Sequence, residues 1–459
     1  MLRILLLSLS LCFILSSTWA QDAATKPVAA KPAADKNAAF ALPETDDGLR
    51  GDGPIRRYGW FKNLWKIRRA KFAADASNQK GAIVFFGDSI TQGWKDDFDG
   101  RFDGLKVANR GISGDTTRGM LIRLQEDVLS LNPSAVVMLM GTNDLEEKAE
   151  PQTIANNVAL IIADLKKHND KMPIVLCQVF PSSETKKRPA DKIKEINWLC
   201  MNQVKGDRQV TVLNTWALFA DENGDAKKAE FPDLLHPNKK GYAKWKASLM
   251  PIFDTLGLTT PDADDFSVEP GFTSLFNGKD LTGWQFLPTT EQQKKGRARW
   301  LGRDGEKAPA WPIVEESIAF DGAKVTPGGR YLAKNGRLIV TTPPEGRKIQ
   351  QLWTTREFKN DFKLILEFRA TPDADSGVFL LKPQLQCRDY LTAGPYKKLK
   401  KYKPQDWNEL VIDASGGTAK CTCNGEVIEE AFKIPESGPI GLEGDRGQIE
   451  YRRIRIQQR

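Results

Sequence analysis

Four short polar blocks stand out because each follows an apolar run: Gly87-Asp88-Ser89-Ile90, Asn109-Arg110-Gly111-Ile112-Ser113-Gly114-Asp115, Gly141-Thr142-Asn143-Asp144 and Asp233-Leu234-Leu235-His236-Pro237. Between them they hold what ester hydrolysis requires: a hydroxyl nucleophile, a base for its proton, a carboxylate to orient that base, and donors for an oxyanion. A serine where a strand turns into a helix has its backbone N–H near a helix N-terminus, which favours developing negative charge. Gly114 has no side chain to keep a second backbone N–H at a distance, and the Asn143 amide offers a third donor. Asp233 and His236 share one short loop, so the carboxylate can hold one ring nitrogen while the other faces Ser89. The chain has two histidines, and the other, His168, ends a polar helical stretch and reads as solvated. Plainer readings stand beside these. Gly-Asp-Ser is a common turn, Asn143 can cap a helix, and Asp88 suits a turn-stabilising side chain better than an acid catalyst.

The blocks need a frame, and the apolar pattern supplies one. Ala82–Phe86, Lys106–Asn109, Ala135–Met140, Ile174–Val179 and Val210–Asn214 are short runs rich in β-branched residues. Helical stretches lie between and after them over Thr117–Leu131, Thr153–His168, Ile193–Val204 and Lys239–Leu256, and another precedes them around Trp60, Phe61, Leu64, Trp65 and Ile67. Strands and helices alternating at this length predict a parallel sheet covered on both faces, an α/β three-layer sandwich of the flavodoxin-like kind. Ligands of such a sheet sit beyond the carboxyl ends of its strands, where all four blocks fall.

GDSI, NRGISGD, GTND and DLLHP resemble the four blocks of the SGNH/GDSL hydrolases, in that family's order. The stretches GDTTRGMLIRL and FPDLLHPNKKGYAKW are similar to its platelet-activating-factor acetylhydrolase catalytic-subunit branch. The resemblance covers about Gly81–Leu258. It implies a serine esterase with Ser89 as nucleophile, an Asp233–His236 pair completing the triad, and an oxyanion hole made by the Ser89 N–H, Gly114 and Asn143. It implies no cofactor and no metal.

After Thr259–Pro270, a stretch with Pro261, Asp262, Asp264 and Asp265, the texture becomes all-β. Asp361–Ala370 places Phe362, Leu364, Leu366 and Phe368 on one face. Trp407–Ala414 and Thr418–Val427 follow, with Asn424–Gly425 as a hairpin turn signal. In Gln448–Ile456 the alternation slips between Tyr451 and Ile454, which predicts a bulge. Many short strands with Gly, Asn and Asp turns predict a jelly-roll β-sandwich. GFTSLFNGKDLTGW, DFKLILEFRATPDADSGVFLL, WNELVIDASGG and GPIGLEGDRGQIEYRRIRI resemble the 3-keto-disaccharide hydrolase domain, a concanavalin/laminin-G-like sandwich. That resemblance implies contact with a glycan, by binding or by hydrolysis. Around Leu381–Lys401 the chain departs from the family pattern. Glu367, Asp375, Asp389 and Glu443 are the carboxylates to inspect, with exposed strand positions as their plain reading. Trp284, Trp353 and Tyr396 are candidate sugar-stacking rings, and core packing is the competing account, above all for Trp353.

The expected organisation is a signal peptide over 1–20, a flexible Ala/Lys/Pro-rich tether over 21–50, the hydrolase domain over 51–258, a linker over 259–270 and the sandwich over 271–459. Arg3, the apolar run Ile4–Leu15 and small residues up to Ala20 have the form of a cleaved leader, too short to span a bilayer, so export to the periplasm or outside the cell is expected, and no membrane-spanning segment. The net charge of +8 is spread thinly over both halves with acidic residues interleaved, which argues against a nucleic-acid surface. Cys177, Cys200, Cys387, Cys421 and Cys423 remain after the leader, an odd number, so at least one free thiol is expected, and buried core suits Cys177, Cys421 and Cys423 better than a metal site. The loops Gln92–Gly104, Leu145–Pro151 and Pro181–Arg188 are mostly polar, so a short acyl group on a carbohydrate is favoured over a long chain. Two other functions stay open: a lysophospholipase or thioesterase, and a non-catalytic glycan-binding protein. The oligomeric state is not legible.

Overall fold

The structure is a computed structural model that describes residues 37–260, 264–296, 312–344 and 348–459; the expected leader, residues 21–36 of the expected tether and part of the linker lie outside them. Five strands form the first sheet: β1 (Ile83–Gly87), β2 (Val107–Gly111), β3 (Ala135–Leu139), β4 (Ile174–Cys177) and β5 (Val210–Leu213). They run parallel in the order β2-β1-β3-β4-β5. Every residue of β1, β3 and β4 is buried, as expected of strands covered on both faces. Helices α1 (Gly59–Asp75), α2 (Ser89–Gln92), α3 (Thr117–Asp127), α4 (Thr142–Glu146), α5 (Pro151–His168), α6 (Ala190–Gln203), α7 (Thr215–Phe219) and α8 (Lys239–Leu256) complete the layers. One sheet face packs on aliphatic residues of α3, α5 and α6. The other packs on a ring cluster, Phe85, Trp94, Phe98 and Phe102, against Trp245 and Phe253 of α8.

Buried charges tie the polar blocks to each other. Arg123 of α3 pairs with Asp115 at 2.7 Å and donates to the Gly87 carbonyl at 3.1 Å, joining the second block to the first. Thr117 donates its N–H and hydroxyl to Asp144, joining the third block to α3. Burial pushes the Asp115 carboxyl up to about 7 against the pull of Arg123.

The second half contains two antiparallel sheets. One has the order β17 (Glu426–Lys433), β16 (Thr418–Cys423), β15 (Asn408–Ser415), β12 (Phe362–Ala370), β19 (Ile449–Gln458), β10 (Arg337–Val340), β9 (Tyr331–Lys334), with β6 (Thr273–Ser274) paired to β19. The other runs β14 (Gln384–Arg388), β13 (Asp375–Leu380), β18 (Ser437–Gly444), β11 (Gln350–Lys359), β7 (Trp284–Phe286), β8 (Ile318–Ala319). Phe362, Leu364, Leu366 and Phe368 share one core with Val378, Leu380, Ile440 and Leu442 of the facing sheet. The sandwich is borne out, and so are two local expectations. Asn424 and Gly425 both have positive φ, 50° and 77°, the conformation a tight hairpin requires. The β12–β19 register shifts next to Arg453, whose φ is 53°, placing the bulge between Tyr451 and Ile454.

One reading needs correction. Residues 37–50 are not a loose tether: Leu42 is buried, Asp46 pairs with Arg57 and Arg118, and Arg50 pairs with Asp164. The apolar and acidic residues there find partners on the hydrolase surface. The described part of the linker is likewise held, with Asp264 on Arg453 at 2.9 Å and Glu269 on Arg455 at 2.6 Å. Helix α1 bears out the helical pattern around Trp60 and Ile67, both of which are exposed, with the Trp60 ring edge-on to Phe61 at 5.7 Å. The five cysteines are all free and buried. Asp254 near the end of α8 pairs with Arg337 and Arg369 of the sandwich, at 3.0 and 2.8 Å. No helix among the described residues is long and apolar enough to cross a membrane.

Candidate active site

Ser89 is the first residue of α2 at the carboxyl end of β1, and the N–H of such a residue has no acceptor inside its helix. Asp88 caps that turn by accepting from the Ile90 N–H at 2.9 Å. The fourth block comes to the serine from far along the chain: His236 Nε2 lies 3.0 Å from Ser89 Oγ. The ring's Nδ1 lies 2.8 Å from Asp233 Oδ2, while Asp233 Oδ1 accepts from the N–H groups of His236 and Leu235 at 2.7 and 3.0 Å. Partial burial pushes the Asp233 carboxyl up, but these donors outweigh it and hold it at about 2. The carboxylate is therefore charged whenever the ring needs an acceptor. The intervening Leu234 has a φ of 62°, a conformation unfavourable for leucine, and Ser182 Oγ donates to its carbonyl at 2.8 Å. Serine, imidazole and carboxylate thus stand in hydrogen-bonding sequence.

Gly114 and Asn143 flank the same serine. Gly114 has a φ of +87°, and a Cβ there would lie 2.5 Å from Trp60, so conformation and space both demand glycine. Asn143 Nδ2 donates to the Asp115 carbonyl at 3.0 Å, and its Oδ1 accepts from Arg188 at 3.0 Å. An amide nitrogen carries two hydrogens, which leaves one for a ligand oxygen. Ser89, Gly114, Asn143 and His236 line one pocket of about 440 Å³. The structure brings all five predicted site residues together. His168 stands apart, exposed at the end of α5.

Sequence reasoning missed three neighbours. Arg188 is buried and donates to the Thr142 carbonyl, Asn143 Oδ1 and Glu146, at 3.0, 3.0 and 2.9 Å. Arg56 pairs with Glu146 and Glu147. Trp60 stands at the pocket mouth, 54% exposed. The signal for Arg188 was its place in the polar loop Pro181–Arg188, where the preceding lysines disguise it as surface charge. Arg56 and Trp60 precede the first block and carry no motif.

The inspected carboxylates of the sandwich divide. Glu367 is paired with Arg452 and Arg453, and Asp389 accepts from the Asp373 N–H and lies beside Tyr402. Asp375 and Glu443, buried and not exposed as strand positions would be, meet on the face of the second sheet that turns away from the core. Burial pushes the Glu443 carboxyl up to about 7, helped by the charges of Asp445 and Asp375. Gln384 donates to Glu443, and Arg388 and Arg446 pair with Asp375. Trp353, also correcting expectation, lies on this face, its ring centroid 4.8 Å from that of Phe379. Trp284 is in the core and Tyr396 donates to Glu429. The ligand atoms of Asp375, Glu443 and Asp445 lie within 4.8 Å of one another, a spacing a cation can bridge, but the two arginines already neutralise Asp375.

Residues 85–244 match the GDSL-like Lipase/Acylhydrolase family. The chain carries a GDSL-like acylhydrolase domain. It is an ester-hydrolysing enzyme, and its residues 271–457 match the 3-keto-alpha-glucoside-1,2-lyase-like domain. The acylhydrolase region is similar to platelet-activating factor acetylhydrolase IB subunit alpha2 of Bos taurus and Homo sapiens, 27% identical over 235 residues, which are 50% of this chain and 95% of the relative. A GDSL-like lipase from Bacteroides thetaiotaomicron is 27% identical with a TM-score of 0.37, covering 41% of this chain and 97% of that one. The lipase/acylhydrolase from Enterococcus faecalis is 22% identical with a TM-score of 0.31, covering 40% and 99%.

Proposed function

We propose that this chain is an exported serine esterase that removes short acyl groups, acetyl first, from carbohydrate esters, with the sandwich engaging the same glycan. The observation that carries it is His236 bridging Ser89 and a charged Asp233 at the rim of a polar pocket. In this reading Ser89 Oγ attacks the ester carbonyl as His236 Nε2 takes its proton, and Asp233 holds the imidazolium that forms. The N–H groups of Ser89 and Gly114 and the free Asn143 hydrogen meet the oxyanion. His236 then protonates the leaving alcohol, and water, deprotonated by the same ring, releases the acid and restores the serine. The charged lining, Arg56, Glu146 and Lys186 among it, favours a short acyl group over a long chain. Export is supported by the leader-like sequence up to Ala20.

For the sandwich, binding is the minimal reading. A specific observation favours catalysis: Glu443 holds a proton near neutral pH beside Gln384, Arg388 and the Trp353–Phe379 pair. A 1,2-lyase acting on a 3-keto glucoside removes the proton at C2, acidified by the neighbouring carbonyl, and expels the C1 substituent. A carboxyl poised near 7 suits that proton transfer, so elimination joins hydrolysis as the bond-breaking step to test.

Purified chain should hydrolyse 4-nitrophenyl acetate and acetylated xylan, and turn over a C16 ester at least tenfold less well per mole. A preference for the C16 ester would overturn the carbohydrate reading and favour a lipid hydrolase.

A further inference from the structure

The pocket beside Ser89 has a charge asymmetry that ester hydrolysis does not need. Arg56, Lys186, Lys187 and Arg188 line it, against the single carboxylate Glu146. That carboxylate is already spent, held by Arg56 and by Arg188 at 2.9 Å, and Arg56 also holds Glu147 at 2.7 Å. The two lysines have no ion-pair partner among the described residues. Glu184, on the same turn, is exposed and does not line the pocket.

The lysines are not on a loose loop. Arg188 donates to the Lys186 carbonyl at 2.6 Å, its own N–H donates to the Ser183 carbonyl at 3.1 Å, and the Lys187 N–H donates to the Glu184 carbonyl at 2.8 Å. Lys187 keeps a φ of 58°, an unfavourable conformation for a lysine that such surroundings must enforce. Trp60 shares the pocket lining, and its ring lies 6.5 Å from Tyr58 at an interplanar angle of 14°. Both rings are more than half exposed. Large rings left in water beside a polar pocket are an informative departure from burial.

We propose that this pocket selects the acyl ester of an acidic sugar, Trp60 stacking on the pyranose and Lys186 and Lys187 pairing with its carboxylate or sulfate. The inference rests on the esterase reading and adds the charge of the carrier. Rings of this kind present a flat apolar surface to the C–H face of a sugar. The buried arginines fix the frame, because their charge is internally compensated, and the half-buried Lys186 and exposed Lys187 keep theirs for the ligand. A pocket of about 440 Å³ lies within the size of small-molecule sites. A neutral sugar acetate would leave both lysines unused.

The test measures kcat/KM of the full chain on three acetates: an O-acetylated methyl glucuronoside, its methyl ester, and 4-nitrophenyl acetate. The acid should exceed its neutral methyl ester by roughly fivefold to tenfold at low salt, the range two half-exposed ion pairs can supply. The excess should shrink towards one in about 0.5 M salt as the charges are screened. Lys186→Gln with Lys187→Gln should bring the ratio to about one at every salt concentration. Trp60→Ala should lower both sugar acetates relative to 4-nitrophenyl acetate, and Trp60→Tyr should restore part of the loss. An acetylated galactoside 6-sulfate set against its unsulfated form tells sulfate from carboxylate. A wild-type ratio of one or below for both anions overturns the proposal, as does an excess that survives loss of both lysines. If the wild type leaves 4-nitrophenyl acetate untouched, the esterase reading itself fails, a result the anion ratio cannot mimic.

Discussion

Asp233 and Glu443 are acidic side chains at the two candidate centres, and their surroundings shift their carboxyl groups in opposite directions. Asp233 sits on a loop, half exposed, yet two backbone N–H groups and an imidazole converge on it and hold its carboxyl at about 2. Glu443 lies in a regular strand, 8% exposed, with one amide donor and two neighbouring carboxylates, and its carboxyl rises to about 7. Donors decide the first case and desolvation the second. Exposure alone would have ranked Asp233 wrongly as an ordinary carboxylate, whereas for Glu443 it gives the right sign. A permanently charged group suits orienting a base, whereas a group that exchanges its proton near pH 7 suits proton transfer itself.

The largest effect should come from the centre built on the charged carboxylate. Ser89→Ala should lower kcat for 4-nitrophenyl acetate by about 10⁴ or more, and His236→Gln by a similar factor, while melting and circular dichroism stay unchanged. Activity surviving in Ser89→Ala would mean that the Asp233 loop serves only structure, and the contrast with Glu443 would lose its functional meaning. Because Asp233 stays charged down to about 2, its protonation should take no part in the acid limb of the rate above roughly pH 3.

The centres also differ in how much of them can be read from the sequence. Ser89, Gly114 and Asn143 sit just past strand ends, so periodicity places them on one edge of a parallel sheet, whereas Asp233 and His236 lie in the loop between α7 and α8 and are placed by their block. Their identities are constrained by chemistry and, at Gly114, by a positive φ. The opposite centre is made within strands, where Asp375, Glu443 and Trp353 obey the same alternation as any solvent-facing residue. Only the register of β13, β18 and β11 shows that they converge, and register across sequence separations of this size is not written in local pattern. The same holds for Trp60 and Arg56, whose approach to the serine depends on how α1 docks. Core elements were legible nearly to the residue, as with Lys239–Leu256 and the slip before Ile454, because burial imposes a period.

An intermediate effect tests the desolvated carboxyl. Glu443 has its folded pKa raised from 4.5 to about 7. Its contribution to stability is therefore fully present below about 4.5 and is lost as pH rises through 7, since the unfolded chain gives up the proton first. Glu443→Gln has no such loss and keeps an acceptor for Gln384. Relative to wild type, its melting temperature should improve between pH 4 and pH 8, by a free energy of up to roughly 3 kcal/mol. Any cleavage of 3-keto glycosides should vanish in the same variant. A difference in melting that moves the other way would show that donors govern Glu443 as they govern Asp233.

The smallest effect lies one residue before the nucleophile. Asp88 is fully buried, its Oδ1 accepts from the Ile90 N–H, and its Oδ2 has no hydrogen-bond partner among the described residues. Burial raises its carboxyl from 3.8 to about 6, so it behaves as Glu443 does although it stands beside the charged triad. Asp88→Asn keeps the acceptor that caps the turn and puts an amide where the unpartnered Oδ2 stood. Its kcat on 4-nitrophenyl acetate should stay within about threefold of wild type, whereas Asp88→Ala should destabilise by about 1 kcal/mol through the lost cap. The sign with pH follows the Glu443 case: wild type loses the benefit of a native proton between about 4 and 6, and the asparagine variant does not. Asp88→Asn should thus melt closer to wild type, or above it, at pH 8 than at pH 4. A drop in kcat of a hundredfold or more would instead make Asp88 a charged participant, and it would then belong with Asp233 rather than with Glu443.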